Sequence, residues 1–305
     1  GVVMSLDIGQ PPGQPVTMRA VIGYDGSPAA AAAIDAGARL FPGAHGYVTY
    51  LRVPPFASEQ VRKRLWAQAR NIDDLIAAED REGEREALRI TAIGVTLARS
   101  AGWDAEPRLE RTYAAEGTAI AQIAEKLDAD VVVVAARGLG GTDAVLGSVS
   151  DMVVHYCPRP VLVVPHPLLS EEYDALAEGP AVVGWDGSEG AYAALETAER
   201  LFPARSIVAV SAEDSADVPA PPGSAPGGRV THVHIGRGRG RPARATANAV
   251  VAAADEQGAA VVVVGSRGRS AVREIVLGSV AMGVLHNSHR PVMVVANRSQ
   301  PTGQP

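Results

Sequence analysis

The chain repeats itself, and the repeat limits what it can fold into more than any other feature. Val21-Ile22-Gly23-Tyr24-Asp25-Gly26-Ser27 returns as Val182-Val183-Gly184-Trp185-Asp186-Gly187-Ser188, and Leu40-Phe41-Pro42 returns as Leu201-Phe202-Pro203 at the same offset. Further along the offset shortens. The run Val131 to Val134 returns as Val261 to Val264, and Arg159-Pro160-Val161 returns as Arg290-Pro291-Val292. The halves therefore match at both ends, and the second lacks about thirty residues in its middle. Four collinear matches in a 305-residue chain define a tandem duplication of one domain. We place the copies at 18–165 and 180–297, with the boundary in 166–180 and flexible tails at 1–17 and 298–305.

Each half alternates strand and helix. The all-apolar runs 131–135 and 261–264 fit strands covered on both faces, as in a parallel sheet. Helical patterns follow at 28–40, 117–127, 189–201 and 243–257, and Ser27-Pro28 and Ser188-Glu189 are good helix starts. The order predicts an α/β protein of two tandem doubly wound domains. Between its second and third strands the first half has a long helical stretch, about 58–100, with a break expected near Gly83. The second half has only 213–229, rich in Pro, Ala and Gly, which reads as a bare crossover. One face of its sheet should then need cover from the stretch 58–78 or from a second molecule.

Composition excludes several classes. A formal charge of −6 argues against a nucleic-acid partner. The single cysteine, Cys157, excludes an internal disulfide, fits a reducing compartment and reads as a buried, inert thiol. No apolar run reaches the ~18 residues of a membrane span, and residues 1–17 lack the pattern of a signal peptide. The expectation is a cytoplasmic protein.

The strongest chemical signal is Gly265-Ser266-Arg267-Gly268, then nine residues, then Gly278-Ser279. It follows a buried strand and leads into a helix. Glycines there let the backbone approach phosphates, and the loop amides with the helix N-terminus present N–H donors to an anion. The first half has Ala135-Ala136-Arg137-Gly138, then eight residues, then Gly147-Ser148, so a methyl stands at the first glycine and the spacer is one shorter. The second-half site is therefore expected to bind more tightly. Asp25 and Asp186 end the first strand of each half, beside the switch point where open α/β sheets bind ligands. Either carboxylate can accept from an adenine amino group or a ribose hydroxyl; the plain alternative is a helix cap.

The Val-Ile-Gly-Tyr-Asp-Gly-Ser opening, the Gly-x2-Gly-x9-Gly-Ser element and the Arg-Pro-Val-x-Val-Val ending resemble the universal stress protein family, in its nucleotide-binding branch. The resemblance covers both halves. It implies ATP binding, with or without Mg, on a five-stranded parallel sheet of order 3-2-1-4-5, a Rossmann-like layout of the adenine nucleotide alpha hydrolase type. Carried over, the second-half site would use Gly184, Asp186, Ala212, Val264, Gly265, Gly268, Gly278, Ser279 and Val280, with Arg267 in the same loop. The first-half site would use Gly23, Asp25, Val53, Val134, Gly138, Gly147, Ser148 and Val149. The family also implies that the last strands pair, making the halves an intrachain pseudo-dimer, with a homodimer as a further option.

Other readings fare worse. Neither lysine, Lys63 or Lys126, lies near a glycine loop as a Walker motif needs. His232 and His234 alternate on one strand face, but without a third ligand nearby they read as a surface strand. His155 and His286 are equivalent helix positions with a packing or capping role, and Arg237 to Arg241 reads as a solvated loop. No acid ends the strands before the glycine loops to position magnesium or water, so no catalytic residue is assigned and at most slow hydrolysis is expected. The reading is an ATP-binding stress-response regulator; the alternatives are a nucleotide-free interaction scaffold and a weak ATPase.

Overall fold

The computed structural model describes residues 17–53, 58–113, 116–137, 148–212, 218–236, 241–266 and 277–297. The first half runs β1 (Arg19–Gly23), α1 (Pro28–Leu40), β2 (His45–Arg52), α2 (Glu59–Trp66), α3 (Ile72–Ser100), β3 (Asp104–Arg111), α4 (Glu116–Lys126), β4 (Val131–Arg137), α5 (Ser148–Tyr156) and β5 (Val161–His166). A helix α6 (Ser170–Glu178) leads to the second half: β6 (Ala181–Gly184), α7 (Glu189–Leu201), β7 (Ile207–Ser211), β8 (Val230–His234), α8 (Pro242–Glu256), β9 (Val261–Gly265), α9 (Ser279–Asn287) and β10 (Val292–Val295).

The ten strands among the described residues form one sheet in the order β3-β2-β1-β4-β5-β10-β9-β6-β7-β8. Each half has the expected 3-2-1-4-5 order, and every pairing within a half is parallel. The halves join where β5 meets β10 antiparallel, Leu162 opposite Met293. Val131 to Val134 and Val261 to Val264 are buried on both faces, which is why they read as unbroken apolar runs. One core layer lies under α1, α3, α6 and α7, and the other under α4, α5, α8 and α9; each runs through both halves. The repeated Leu-Phe-Pro triplet explains part of that continuity. Phe41 and Phe202, at the ends of α1 and α7, stack on each other with ring centroids 5.3 Å apart.

The helix starts fall where the sequence put them. Ser27 Oγ accepts from Ala30 N at 3.2 Å and Ser188 Oγ from Ala191 N at 3.2 Å, each satisfying a donor that the first turn leaves open. Three expectations change. The long helical stretch breaks at 67–71 rather than near Gly83, which is buried inside α3. The segment 166–180 carries the helix α6, whose start is held by Glu172 accepting from Leu169 N at 2.7 Å. Its Leu176 is fully buried and its Tyr173 hydroxyl bonds Asp35 at 2.7 Å.

The third change concerns the second-half crossover, which covers part of its own sheet face. Trp185 is 3% exposed and its Nε1 donates to Pro219 O at 2.7 Å, while Val218 is buried. Arg229 fastens the end of the crossover by donating to the carbonyls of Glu199, Phe202 and Arg205, at the close of α7 and just beyond it. Neither α2 nor α3 is used: α3 packs on β2, β3 and α1 of its own half, with Gly94 closest to Tyr24 and Val48.

Candidate functional site

β1 is flanked by β2 on one side and β4 on the other, so the chain leaves it at a topological switch point. A cavity of about 320 Å³ lies there, a size in the range of small-molecule sites. The end of β1 supplies Gly23, Tyr24 and Asp25; β2 supplies Thr49, Tyr50 and Leu51; β4 supplies Val134 and Ala135. The first turns of three helices close it, with Ala29 and Ala30 of α1, Glu116 and Ile120 of α4, and Val149 and Ser150 of α5. Helix N-termini aimed at one space favour an anionic ligand group.

The walls are well held. Tyr24 N donates to Thr49 O at 2.9 Å, which fixes the β1 exit against β2. Asp25 Oδ1 accepts from Ser27 N at 2.9 Å, so one oxygen shapes the turn into α1. Ser150 Oγ donates to Ala135 O at 2.7 Å and ties α5 to the β4 end. Burial, then the carboxylates Glu86, Asp25 and Glu116, push the Tyr50 phenol above its ordinary range, with Arg52 opposing. Tyr50 is thus a protonated donor at neutral pH. Apolar surface from Ile120, Val134 and Leu51 faces two acids, Asp25 and Glu116, across the same space.

Of the residues expected in the first-half site, Gly23, Asp25, Val134 and Val149 line this cavity, whereas Val53 does not. Ser148 opens α5, and Gly138 and Gly147 lie outside the described residues. Sequence reasoning missed Tyr24, Thr49, Tyr50, Leu51, Glu116, Ile120 and Ser150. Glu116 had a signal, since an acid one residue before Gly117 at a helix start is where a helix N-terminus meets a ligand. Tyr50 had none, because only the pairing of β2 with β1 carries it to the cavity.

In the second half the same pairing puts Gly184, Asp186, Ala212, Val264 and Gly265 at the ends of their strands or just past them. Asp186 Oδ1 accepts from Ser188 N at 2.9 Å, as Asp25 does from Ser27. Gly278 N donates to Ser266 O at 2.6 Å and caps α9, with Ser279 its first residue and Val280 packed on the core. Arg267 and Gly268 lie outside the described residues.

Gly265 acquires a different reason for being glycine. A Cβ there would stand 2.5 Å from Gly190 O and 2.8 Å from Gly190 Cα, so its missing side chain faces the first turn of α7. The first half has Ala135 and Ala29 at these two places. A second exchange of size runs between the halves. A Cβ on Gly117 would collide with Met152 Cβ, while a Cβ on Gly283 would lie 2.7 Å from Ala247 Cβ. Glycine sits on α4 in one half and on α9 in the other, and in each contact only one partner carries a Cβ.

The remaining candidates resolve simply. Cys157 is buried, which pushes its thiol up to about 11. His155 Nδ1 lies 2.7 Å from Asp151 O and His286 Nε2 3.1 Å from Met282 Sδ, both contacts within their own helix. His232 is held below the ordinary histidine range by burial and by His234. Of the Arg237 to Arg241 run, Arg241 precedes α8 and 237–240 lie outside the described residues. Among the described residues no group of three or more His, Cys, Asp or Glu side chains is placed to hold a metal, and no helix is long and apolar enough to cross a membrane.

Sheet order, helix layers and a cavity at the switch point define a tandem, doubly wound α/β protein. The model of the universal stress protein family matches residues 17–165 and 223–296, and the chain belongs to that family. The unmatched stretch between holds α6, β6, α7, β7 and the first part of the crossover, and its order from β6 on repeats that of β1, α1 and β2. Among solved structures, a universal stress protein of Archaeoglobus fulgidus aligns over 92% of this chain and 98% of its own, at 21% identity and a TM-score of 0.64. The universal stress protein UspA of Lactobacillus plantarum aligns over 49% of this chain and 99% of its own, at 17% identity and a TM-score of 0.33. A universal stress protein in complex with cAMP aligns over 48% of this chain and 96% of its own, at 25% identity and a TM-score of 0.35. A search of curated proteins gives no match.

Proposed function

We propose that the chain is a stress-response regulator that binds ATP, with bound nucleotide setting its conformation or its choice of partner. The observation that carries this reading is the 320 Å³ cavity at the first-half switch point. Its apolar walls suit a planar base. Asp25, Glu116 and the Tyr50 hydroxyl offer partners for amino and ribose hydroxyl groups, and three helix N-termini favour the phosphate end. The second half repeats the arrangement with Gly184, Asp186, Val264 and the loop opened by Gly265. Halves 18–165 and 180–297 act as an intrachain pseudo-dimer, supported by the β5–β10 pairing and the Phe41–Phe202 stack.

One ground for ranking the second site above the first falls away, because the missing Cβ of Gly265 faces Gly190. The spacer difference remains. Nothing in the site assigns a catalytic residue, so binding rather than turnover is the proposed activity.

The test is calorimetry of ATP and GTP with the wild-type protein and Asp25→Asn. The variant keeps Oδ1 as the acceptor for Ser27 N and removes the charge. Loss of a charge-assisted hydrogen bond costs about 1.5–3 kcal/mol, roughly one to two decades in affinity. ATP should bind well above GTP, and the first-site phase should weaken by that amount. Equal affinity for the two nucleotides, or an Asp25→Asn titration identical to wild type, would overturn the assignment.

A further inference from the structure

We propose that His232 and His234 of β8 form a binding site for one late first-row divalent cation, Cu²⁺, Ni²⁺ or Zn²⁺. β8 is an edge strand of the ten-stranded sheet. Residues two apart on a strand point the same way, so the two imidazoles share one face. They are in contact, with ring centroids 4.1 Å apart and planes at 47°. Two imidazole nitrogens binding one tetrahedral zinc at about 2.0–2.1 Å stand roughly 3.4 Å apart, which rings this close can reach by side-chain rotation.

The support behind the pair is what separates it from two incidental surface histidines. Ser211 of β7 lies opposite His234 in the strand register and is fully buried. Its Oγ is 2.8 Å from His232 Nε2. With that nitrogen donating to the serine, the lone pair falls on Nδ1. Metal-binding histidines are ordinarily held this way, by a hydrogen bond from the other ring nitrogen that fixes tautomer and orientation.

The site also depends on what the second half lacks. The strand registers set His232 and His234 where the first half has Pro107 and Leu109 of β3. There α3 packs on β2 and β3. Between β7 and β8 no helix occurs among the described residues, and the crossover covers Trp185, just past the end of β6, and Val230, at the start of β8. His234 is left exposed and His232 half-buried. Shortening of the crossover thus opens the strand face on which the sequence sets two imidazoles. Their neutral nitrogen donors suit copper, nickel and zinc, while magnesium and calcium require oxygen ligands. Two protein ligands leave the other coordination positions to water.

The test titrates the full, tag-free chain with NiCl₂, ZnCl₂ and MgCl₂ by calorimetry in a non-chelating buffer. One equivalent of nickel or zinc should bind and magnesium should not. His232→Gln/His234→Gln should abolish that equivalent, and Ser211→Ala should weaken it by about tenfold while both imidazoles remain. Circular dichroism and melting of each variant show whether it is folded. Should a variant fail to fold, carbethoxylation of wild-type histidines mapped by mass spectrometry supplies the second readout: nickel should protect 232 and 234. The proposal is overturned if the folded double variant binds as wild type does, if nickel protects other histidines instead, or if wild type takes up no nickel or zinc.

Discussion

Replacing Gly265 with alanine separates two reasons for a glycine at the end of a buried strand. The added methyl would sit 2.5 Å from Gly190 O, 2.6 Å from Gly190 C and 2.8 Å from Gly190 Cα. Ordinary contact begins near 3.4 Å, so the first turn of α7 must retreat by about 0.9 Å, and every atom in its way is backbone. That turn is pinned by the Ser188 cap, by Asp186 accepting from Ser188 N, and by Trp185 N donating to Val210 O at 2.8 Å. Overpacking of this kind costs about 1–3 kcal/mol. Gly265 is not among the glycines with positive φ, so alanine is conformationally allowed and recovers about 0.4–1 kcal/mol through the unfolded chain. The net expectation is a loss of about 1–2 kcal/mol, or roughly 2–3 °C in melting temperature for a chain of this size. Thermal unfolding followed by circular dichroism measures it, with Ala135→Gly as the first-half counterpart and ATP calorimetry on both variants. An unchanged melting temperature would refute the packing argument. If ATP affinity fell at the same time, the glycine would be serving the ligand after all.

The Gly117–Met152 contact supports a compensation experiment. Gly117→Ala should destabilise by about 1–3 kcal/mol, and adding Met152→Gly should recover part of that by recreating the Ala247–Gly283 contact of the second half; additive losses in denaturant unfolding would dismiss the size exchange. Cys157, buried with its thiol raised to about 11, is protonated at all pH values well below that. Labelling by a thiol reagent at pH 8 should therefore be slow in the native protein and become fast in denaturant, and rapid native labelling would show that the site opens.

Much of the fold was legible in the sequence because it rests on local chemistry and on repetition. The offset between Asp25 and Asp186 exposed the duplication, the valine runs marked strands covered on both faces, and Ser27 and Ser188 marked two helix starts. Alternation gave the doubly wound class, and the strand order followed from the family resemblance. Asp25 could be named for the cavity because it ends a strand at the switch point, and Gly23, Val134 and Val149 because the family resemblance carries them over. Tyr50 could not, since which face of β2 meets the cavity depends on its register with β1, and no local pattern states a register between separate strands. The segment 166–180 was read only as the domain boundary, because the apolar positions of α6, Tyr173 and Leu176, are too few to show a period; Leu176 is buried only once α6 is laid against α1. The crossover at 218–229 looked bare for the same reason. It covers Trp185 through the Pro219 carbonyl and an arginine clamp, neither of which carries a period. Gly265 shows the division most plainly. The sequence required a residue without a side chain there, but the direction in which that side chain would have pointed, and the Gly190 backbone it would have struck, exist only once α7 is laid against β9.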